Sequence, residues 1–145
     1  MTEKRYSLII ADAHDVYREA LVTIFRINPQ VSVVAELTIG KTAVAVCKDL
    51  QPDLVILDTE LPDIPVLVAV QQILSESPNS KIICISGYIK PTIADKLIKK
   101  GAHGFVTKTS EANVFYNAIT AVLKGEIFIC EEIRLKKGNV SKRKR

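Results

Sequence analysis

The sequence predicts an α/β fold, a doubly wound parallel sheet of five strands with helices on both faces, and three observations carry that expectation. Short apolar runs alternate five times with longer segments of helical periodicity, bounded by Gly, Pro, Asn and Asp. The central run, Leu54-Val55-Ile56-Leu57, is apolar at every position, as a strand covered on both faces must be. Polar residues follow the strand ends, with Asp58 closing the central one.

Tyr6 to Ala11 (YSLIIA) reads as the first strand, and Asp12-Ala13-His14-Asp15 follows as a loop able to cap a helix through a side-chain oxygen. Val16, Ala20, Ile24 and Ile27, with Leu21 and Phe25 beside them, recur at helical spacing up to Asn28-Pro29. Val31 to Ala35 is the second strand. Thr42 to Leu50 is a short helix with Ala43, Val44, Val46, Cys47 and Leu50 on its apolar face. Pro52-Asp53 returns the chain to the central strand. Leu67 to Leu74 suits a third helix, ended by Pro78-Asn79, and Lys81 to Ser86 (KIICIS) is a fourth strand closing on a hydroxyl. Thr92 to Lys100 is helical, polar on the side of Asp95, Lys96, Lys99 and Lys100, and Gly101 stops it. Gly104 to Thr107 is the short fifth strand, ending at Lys108. Glu111 to Lys124 is the last helix, with Val114, Phe115, Ala118, Ile119, Ala121 and Val122 as its buried stripe.

The 145 residues are enough for one domain that buries about 70% of its unfolded surface without metal or disulfide support. Cys47, Cys84 and Cys130 lack CxxC spacing and sit among apolar neighbours, so they read as small core residues in a reducing compartment. No secretory leader is visible, and no apolar run approaches the ~20 residues needed to cross a bilayer. A cytoplasmic protein without membrane contact is expected. Arg134, Lys136, Lys137, Lys142, Arg143, Lys144 and Arg145 put seven positive charges and no acid in the last twelve residues. Such a run can neutralise nucleic-acid phosphates, but at a chain end it is more often a solvated tail, so charge alone does not make this domain a DNA binder.

Right-handed crossovers bring the strand ends to one edge of the sheet, which gathers Asp12, Asp58, Ser86 and Lys108. Phosphoryl transfer to a carboxylate needs this set. A nucleophilic acid forms an acyl phosphate, a hard divalent cation on oxygen ligands offsets charge, and an ammonium and a hydroxyl hold the phosphoryl oxygens.

These residues carry a resemblance. Asp12-Ala13-His14, Pro52 through Asp58, Leu61-Pro62, Ser86, Gly101 through Lys108, and Ala118-Ile119 through Gly125-Glu126 resemble the response-regulator receiver domain of two-component systems. The details favour the branch with a C-terminal LuxR-type, NarL/FixJ-like helix-turn-helix. The resemblance spans residues 1–125 as a receiver domain and leaves 126–145 as linker and basic tail. Val140-Ser141-Lys142-Arg143 is similar to the opening of a LuxR-type DNA-binding domain, the other reading being a natural basic terminus. The resemblance implies a flavodoxin-like strand order 2-1-3-4-5 and Asp58 as phosphoacceptor, assisted by Ser86 and Lys108. It implies a histidine kinase as donor and Mg²⁺ as cofactor, on Asp12, Asp58 and the Glu60 main-chain carbonyl. Ser86 and Phe105 become a switch pair in which the ring follows the hydroxyl inward. A homodimer, and DNA binding through an output domain absent from this chain, complete the expectation. The protein is then no enzyme beyond self-phosphorylation and self-dephosphorylation at Asp58.

Departures from the pattern sharpen the question. Ala13 stands where the family has a second acid that ligates the metal, so Mg²⁺ binding is expected to be weaker. The Glu60 carboxylate either joins the metal or obstructs the phosphoryl site. Asp63-Ile64-Pro65-Val66 replaces small and acidic residues leading to Gly, so the loop beside Asp58 is expected to be reshaped, and Tyr88 to cover part of the site. A degenerate receiver, kept as a dimerisation or protein-binding module without phosphorylation, is the alternative. A remoter one is an NTPase, since Ala35 to Thr42 (AELTIGKT) fits a relaxed P-loop pattern, although Glu36 to Ile39 contains no Gly. His14 and His103 lack zinc-ligand spacing, and His14 is expected to shape the first loop. Tyr17, Arg18 and Arg26 read as either partner-facing or solvated.

Overall fold

A computed structural model describes residues 4–88 and 90–136. In chain order the elements are β1 (Tyr6–Ala11), α1 (Asp15–Arg26), β2 (Val31–Leu37), α2 (Gly40–Leu50), β3 (Leu54–Asp58), α3 (Val66–Glu76), β4 (Lys81–Ser86), α4 (Pro91–Lys99), β5 (Gly104–Thr107), α5 (Ala112–Leu123) and β6 (Phe128–Ile129). The sheet runs β2-β1-β3-β4-β5-β6, and every neighbouring pair is parallel. The doubly wound α/β architecture expected from the sequence and the order 2-1-3-4-5 implied by the resemblance are present, with one strand more than the five expected.

The apolar strands sort their side chains by parity, because successive residues of a strand face opposite ways. Leu8 and Ile10 of β1 join Leu54 and Ile56 of β3 in a core with α1 and α5. Ile9, Ala11, Val55 and Leu57 face the other way, against α2, α3 and α4. Phe25 and Phe115 meet edge to face with ring centroids 6.3 Å apart, and the Tyr116 hydroxyl donates to the Ile24 carbonyl at 2.7 Å, locking α1 to α5. Cys47, Cys84 and Cys130 are free and buried, as expected.

The sequence-based phase of α1 is off by about one position. Its buried residues are Leu21, Val22 and Phe25, whereas Val16 is 83% and Ile27 76% exposed. The helix is rotated so that Tyr17 and Arg18 turn inward, toward the acids at the end of β1. Leu50, expected on the apolar face of α2, is exposed as well. Asp12 does not cap α1. The cap position is His14, and its amide donates to Asp12 Oδ1 at 2.8 Å in a tight turn ahead of the helix.

The extra strand follows from Gly125, whose φ of +87° reverses the chain after α5. The Phe128 amide then donates to the His103 carbonyl at 2.9 Å and the Cys130 amide to Phe105 at 3.0 Å. A helical stretch at 131–136 buries Ile133, so packed structure continues past Gly125. Lys137 and the Val140-Ser141-Lys142-Arg143 segment lie outside the described residues. Among the described residues, no helix is long and apolar enough to cross a membrane.

Candidate functional site

The register of the sheet builds the site. Ala11 pairs with Leu57, so Asp12 and Asp58 emerge side by side at the carboxyl edge. Ser86 pairs with Thr107, which sets Lys108 just beyond that edge, its amide donating to the Ser86 carbonyl at 2.8 Å.

Lys108 is the hub. Its Nζ lies 2.7 Å from Asp12 Oδ2, donates to Asp58 Oδ2 at 3.0 Å, and is 3.1 Å from His14 Nδ1. Both carboxylates are fully buried. The ammonium also sits 4.7 Å from the centre of the Tyr17 ring, on a face that favours a cation. Backbone donors hold the remaining acid oxygens, the Glu60 amide on Asp58 Oδ1 at 3.0 Å and the His14 amide on Asp12 Oδ1. His14 Nδ1 is 3.0 Å from Asp12 Oδ1 and 3.5 Å from Asp58 Oδ2. Arg18 anchors the loop by donating to the Asp12 carbonyl at 2.7 Å, and it pairs with Asp15 and Glu36.

One ammonium faces two buried acids, and this asymmetry splits their acidities. Burial raises the Asp58 carboxyl above the usual carboxylate range and the charge of Asp12 adds to it, outweighing the hydrogen bonds from Lys108 and the Glu60 amide. Burial opposes ionisation of Asp12 too, but Lys108 and the His14 amide prevail and hold it below that range. Burial, then the charges of Asp12 and Asp58, push the Tyr17 phenol far above its ordinary value. Its hydroxyl is buried without a hydrogen bond.

The pocket fits a divalent cation on two grounds. Asp12 Oδ2 is buried and makes no hydrogen bond, its contact with Lys108 being one of charge without bond alignment, so the oxygen keeps donor capacity. Asp12, His14 and Asp58 also offer side-chain donors that all lie within 4.8 Å of one another. Glu60 is exposed and its carboxylate is outside that group.

Of the residues singled out from the sequence, Asp12, Asp58 and Lys108 converge as expected. Ser86 is buried on the same edge, where its Oγ accepts the Tyr88 amide at 3.1 Å. Phe105 is fully buried on the α4 side, in one cluster with Ala94, Leu97 and Cys130. Tyr88 is exposed, its ring 5.2 Å from Lys90 Nζ. Sequence reasoning missed His14, Tyr17 and Arg18 as pocket residues. Spacing from Asp12 was the available signal, because a residue two places past a turn-forming Asp is folded back onto it.

The P-loop reading fails on a local detail. Asp63 accepts the Gly40 amide at 2.7 Å and the Lys41 amide at 2.9 Å, so the donors that would cradle a phosphate at the start of α2 are already taken. The same bonds clasp the loop after Leu61-Pro62 onto α2, with Ile64 packed where a Gly40 Cβ would stand.

A doubly wound parallel sheet with paired acids and a lysine at its carboxyl edge defines the class: a flavodoxin-like α/β domain with an acidic pocket. The chain belongs to the response regulator receiver domain family, whose model matches residues 8–120. It is similar to the Fimbriae Z protein of Salmonella typhimurium, 32% identical over 129 residues, covering 89% of this chain and 61% of that protein. The transcriptional regulatory protein YdfI of Bacillus subtilis is 28% identical, with 87% and 59% covered. The chain thus spans about three fifths of the length of these curated relatives. Among solved structures, a LuxR-family two-component response regulator from an Aurantimonas species superposes with a TM-score of 0.89 at 25% identity, covering 95% of this chain and 99% of that one.

Proposed function

We propose that Asp58 accepts a phosphoryl group from a histidine kinase, and that the aspartyl phosphate switches a surface controlling transcription through an output domain on a homodimer. The observation that carries this reading is Lys108, bridging Asp58 at 3.0 Å and Asp12 at 2.7 Å. A carboxylate oxygen of Asp58 attacks phosphorus, the phosphorus–nitrogen bond to the donor histidine breaks, and the nitrogen leaves with that electron pair. Lys108 donates to the phosphoryl oxygens as charge accumulates, and Ser86 Oγ exchanges its bond with the Tyr88 amide for one to the phosphoryl group. A divalent cation on Asp12 and Asp58, with the Glu60 carbonyl, would offset that charge when bound. Phe105 starts buried, so the switch is a repacking against α4 rather than an entry from solvent. The phosphoryl group biases that repacking only through contacts it makes better in one state, and Lys108 and Ser86 supply them. The names of relatives as transcriptional regulatory proteins support the output assigned.

The test is incubation with acetyl phosphate and a saturating dication, Mg²⁺ and Co²⁺ in parallel, read by intact mass. The wild type should gain one phosphoryl group and Asp58→Asn none. No gain in the wild type, or an equal gain in both, would overturn the assignment.

A further inference from the structure

We infer that His14 is a metal ligand of this pocket, and that the pocket therefore selects a first-row transition-metal dication over Mg²⁺. The inference deepens the reading above and rests on Asp12 and Asp58 being the cation-binding acids.

Three observations carry it. A cation about 2.1 Å from each donor sets neighbouring donors about 3.0 Å apart in octahedral and about 3.4 Å apart in tetrahedral geometry. His14 Nδ1 stands 3.0 Å from Asp12 Oδ1 and 3.5 Å from Asp58 Oδ2, so the imidazole already occupies a ligand vertex relative to both acids. Second, Lys108 Nζ lies 3.1 Å from His14 Nδ1. Nδ1 faces both this ammonium and, at 3.0 Å, the acceptor Asp12 Oδ1, so it is the ring nitrogen aimed into the pocket in either tautomer, and with hydrogen on Nε2 its lone pair is there for a metal. Third, the chain places a methyl group, Ala13, between Asp12 and His14, so this loop offers one carboxylate and one imidazole.

The consequence is chemical selectivity. Mg²⁺ takes oxygen ligands and dehydrates reluctantly, whereas imidazole nitrogen suits cobalt, nickel and zinc. A set of two carboxylates and one imidazole gives the transition metals a ligand that Mg²⁺ does not use. Lys108 competes with any dication for the same three groups, so a bound metal displaces its ammonium from His14 Nδ1.

Calorimetric titration of the 145-residue protein with Co²⁺ and, separately, with Mg²⁺ tests this on wild type, His14→Ala and Asp12→Asn, without a phosphoryl donor. Transition metals bind oxygen sites more tightly in any case, so the decisive quantity is the effect of the substitution. His14→Ala should weaken Co²⁺ by about ten-fold or more while leaving Mg²⁺ within about two-fold. Asp12→Asn should weaken both. His14 is 61% exposed, so its truncation opens no core cavity, and circular dichroism checks the fold. Ring resonances of the only two histidines give an independent readout: Co²⁺ should shift His14 and spare His103. Equal losses for both metals, no loss for Co²⁺, or unshifted His14 resonances at saturation would overturn the inference. Phosphorylation of Asp58 with no role for His14 sinks this inference alone. His14-dependent Co²⁺ binding without phosphorylation sinks the proposed function alone.

Discussion

Replacing Lys108 by Met keeps the aliphatic stem and deletes the charge, which isolates what the ammonium does for the fold. At an effective dielectric of about 20, each contact, 2.7 Å to Asp12 and 3.0 Å to Asp58, is worth about 5–6 kcal/mol of gross attraction. The two acids repel across at most 4.8 Å with at least about 3.5 kcal/mol on the same scale. Dehydrating the ammonium consumes much of the gross gain, and breaking a buried pair costs about 3–5 kcal/mol in practice. Uptake of a proton by one acid limits the loss, so about 3 kcal/mol is expected at pH 7, or roughly 10 °C in melting temperature. The sign of the pH dependence follows. Without Lys108 the folded-state carboxyls are raised, and a raised acid costs stability above its folded pKa and nothing below its unfolded one. The deficit should therefore be largest at pH 7 and shrink toward pH 5 and below. Urea unfolding of Lys108→Met at both values measures it, and adding Asp58→Asn should recover most of the loss by removing one orphaned acid. A deficit that does not change with pH, or one that Asp58→Asn deepens, would refute the electrostatic account of this pocket.

Asp58→Asn alone should be more stable than wild type at pH 7 by about 1 kcal/mol, because the neutral isostere escapes burial of a charge beside Asp12. The raised Asp58 carboxyl favours the folded state only as pH falls through its folded value, so the gain should vanish in acid; denaturant midpoints at several pH values decide it. Tyr17→Phe removes a buried hydroxyl without a hydrogen bond and keeps the ring under Lys108, so the melting temperature should hold or rise, by up to about 1 kcal/mol of stability. A clear loss would mean that the hydroxyl has a partner in solution. Asp63→Ala uncaps α2 and should cost about 1–2 kcal/mol. Burial is the largest single effect on Asp63 and pushes it upward, but the backbone amides, Lys41 and Gly40 first, together prevail and depress it, so this cost should be present at neutral pH and fade as pH falls through the folded value.

The elements best read from sequence are those whose residues are constrained on both sides. β3 is apolar at every position because helices cover both faces, and its Asp58 is legible because a charged residue closing such a run needs a reason. The two-residue β6 carries no periodicity of its own; it forms because β5 leaves open amide and carbonyl groups beside it. α1 shows where pattern misleads. Val16 and Ile27 complete an apolar spacing, yet the helix turns Tyr17 and Arg18 inward because the pocket rewards a ring under Lys108 and a guanidinium on the Asp12 carbonyl. His14 was legible only as a loop residue, since its contact with Lys108 spans 94 positions of sequence. Asp63 reaches across 23 positions to Gly40, a clasp no local motif announces.

Charge ties the site to its chemistry. Apart from the imidazole, two carboxylates and one ammonium sum to −1, and Lys108 touches both acids. Phosphorylation replaces the Asp58 charge with one of about −2, and the pocket falls to about −2. On the proposed function, Lys108 would then face about twice the excess it balances now, so a dication would stabilise the aspartyl phosphate. Ala13 offers no oxygen to that ion, while the same loop holds the His14 imidazole 3.0 Å from one acid and 3.5 Å from the other. On the proposed selectivity, the position that withholds a carboxylate from Mg²⁺ is the one that gives His14 its weight, and the lifetime of a phosphorylated state should follow the metal supplied.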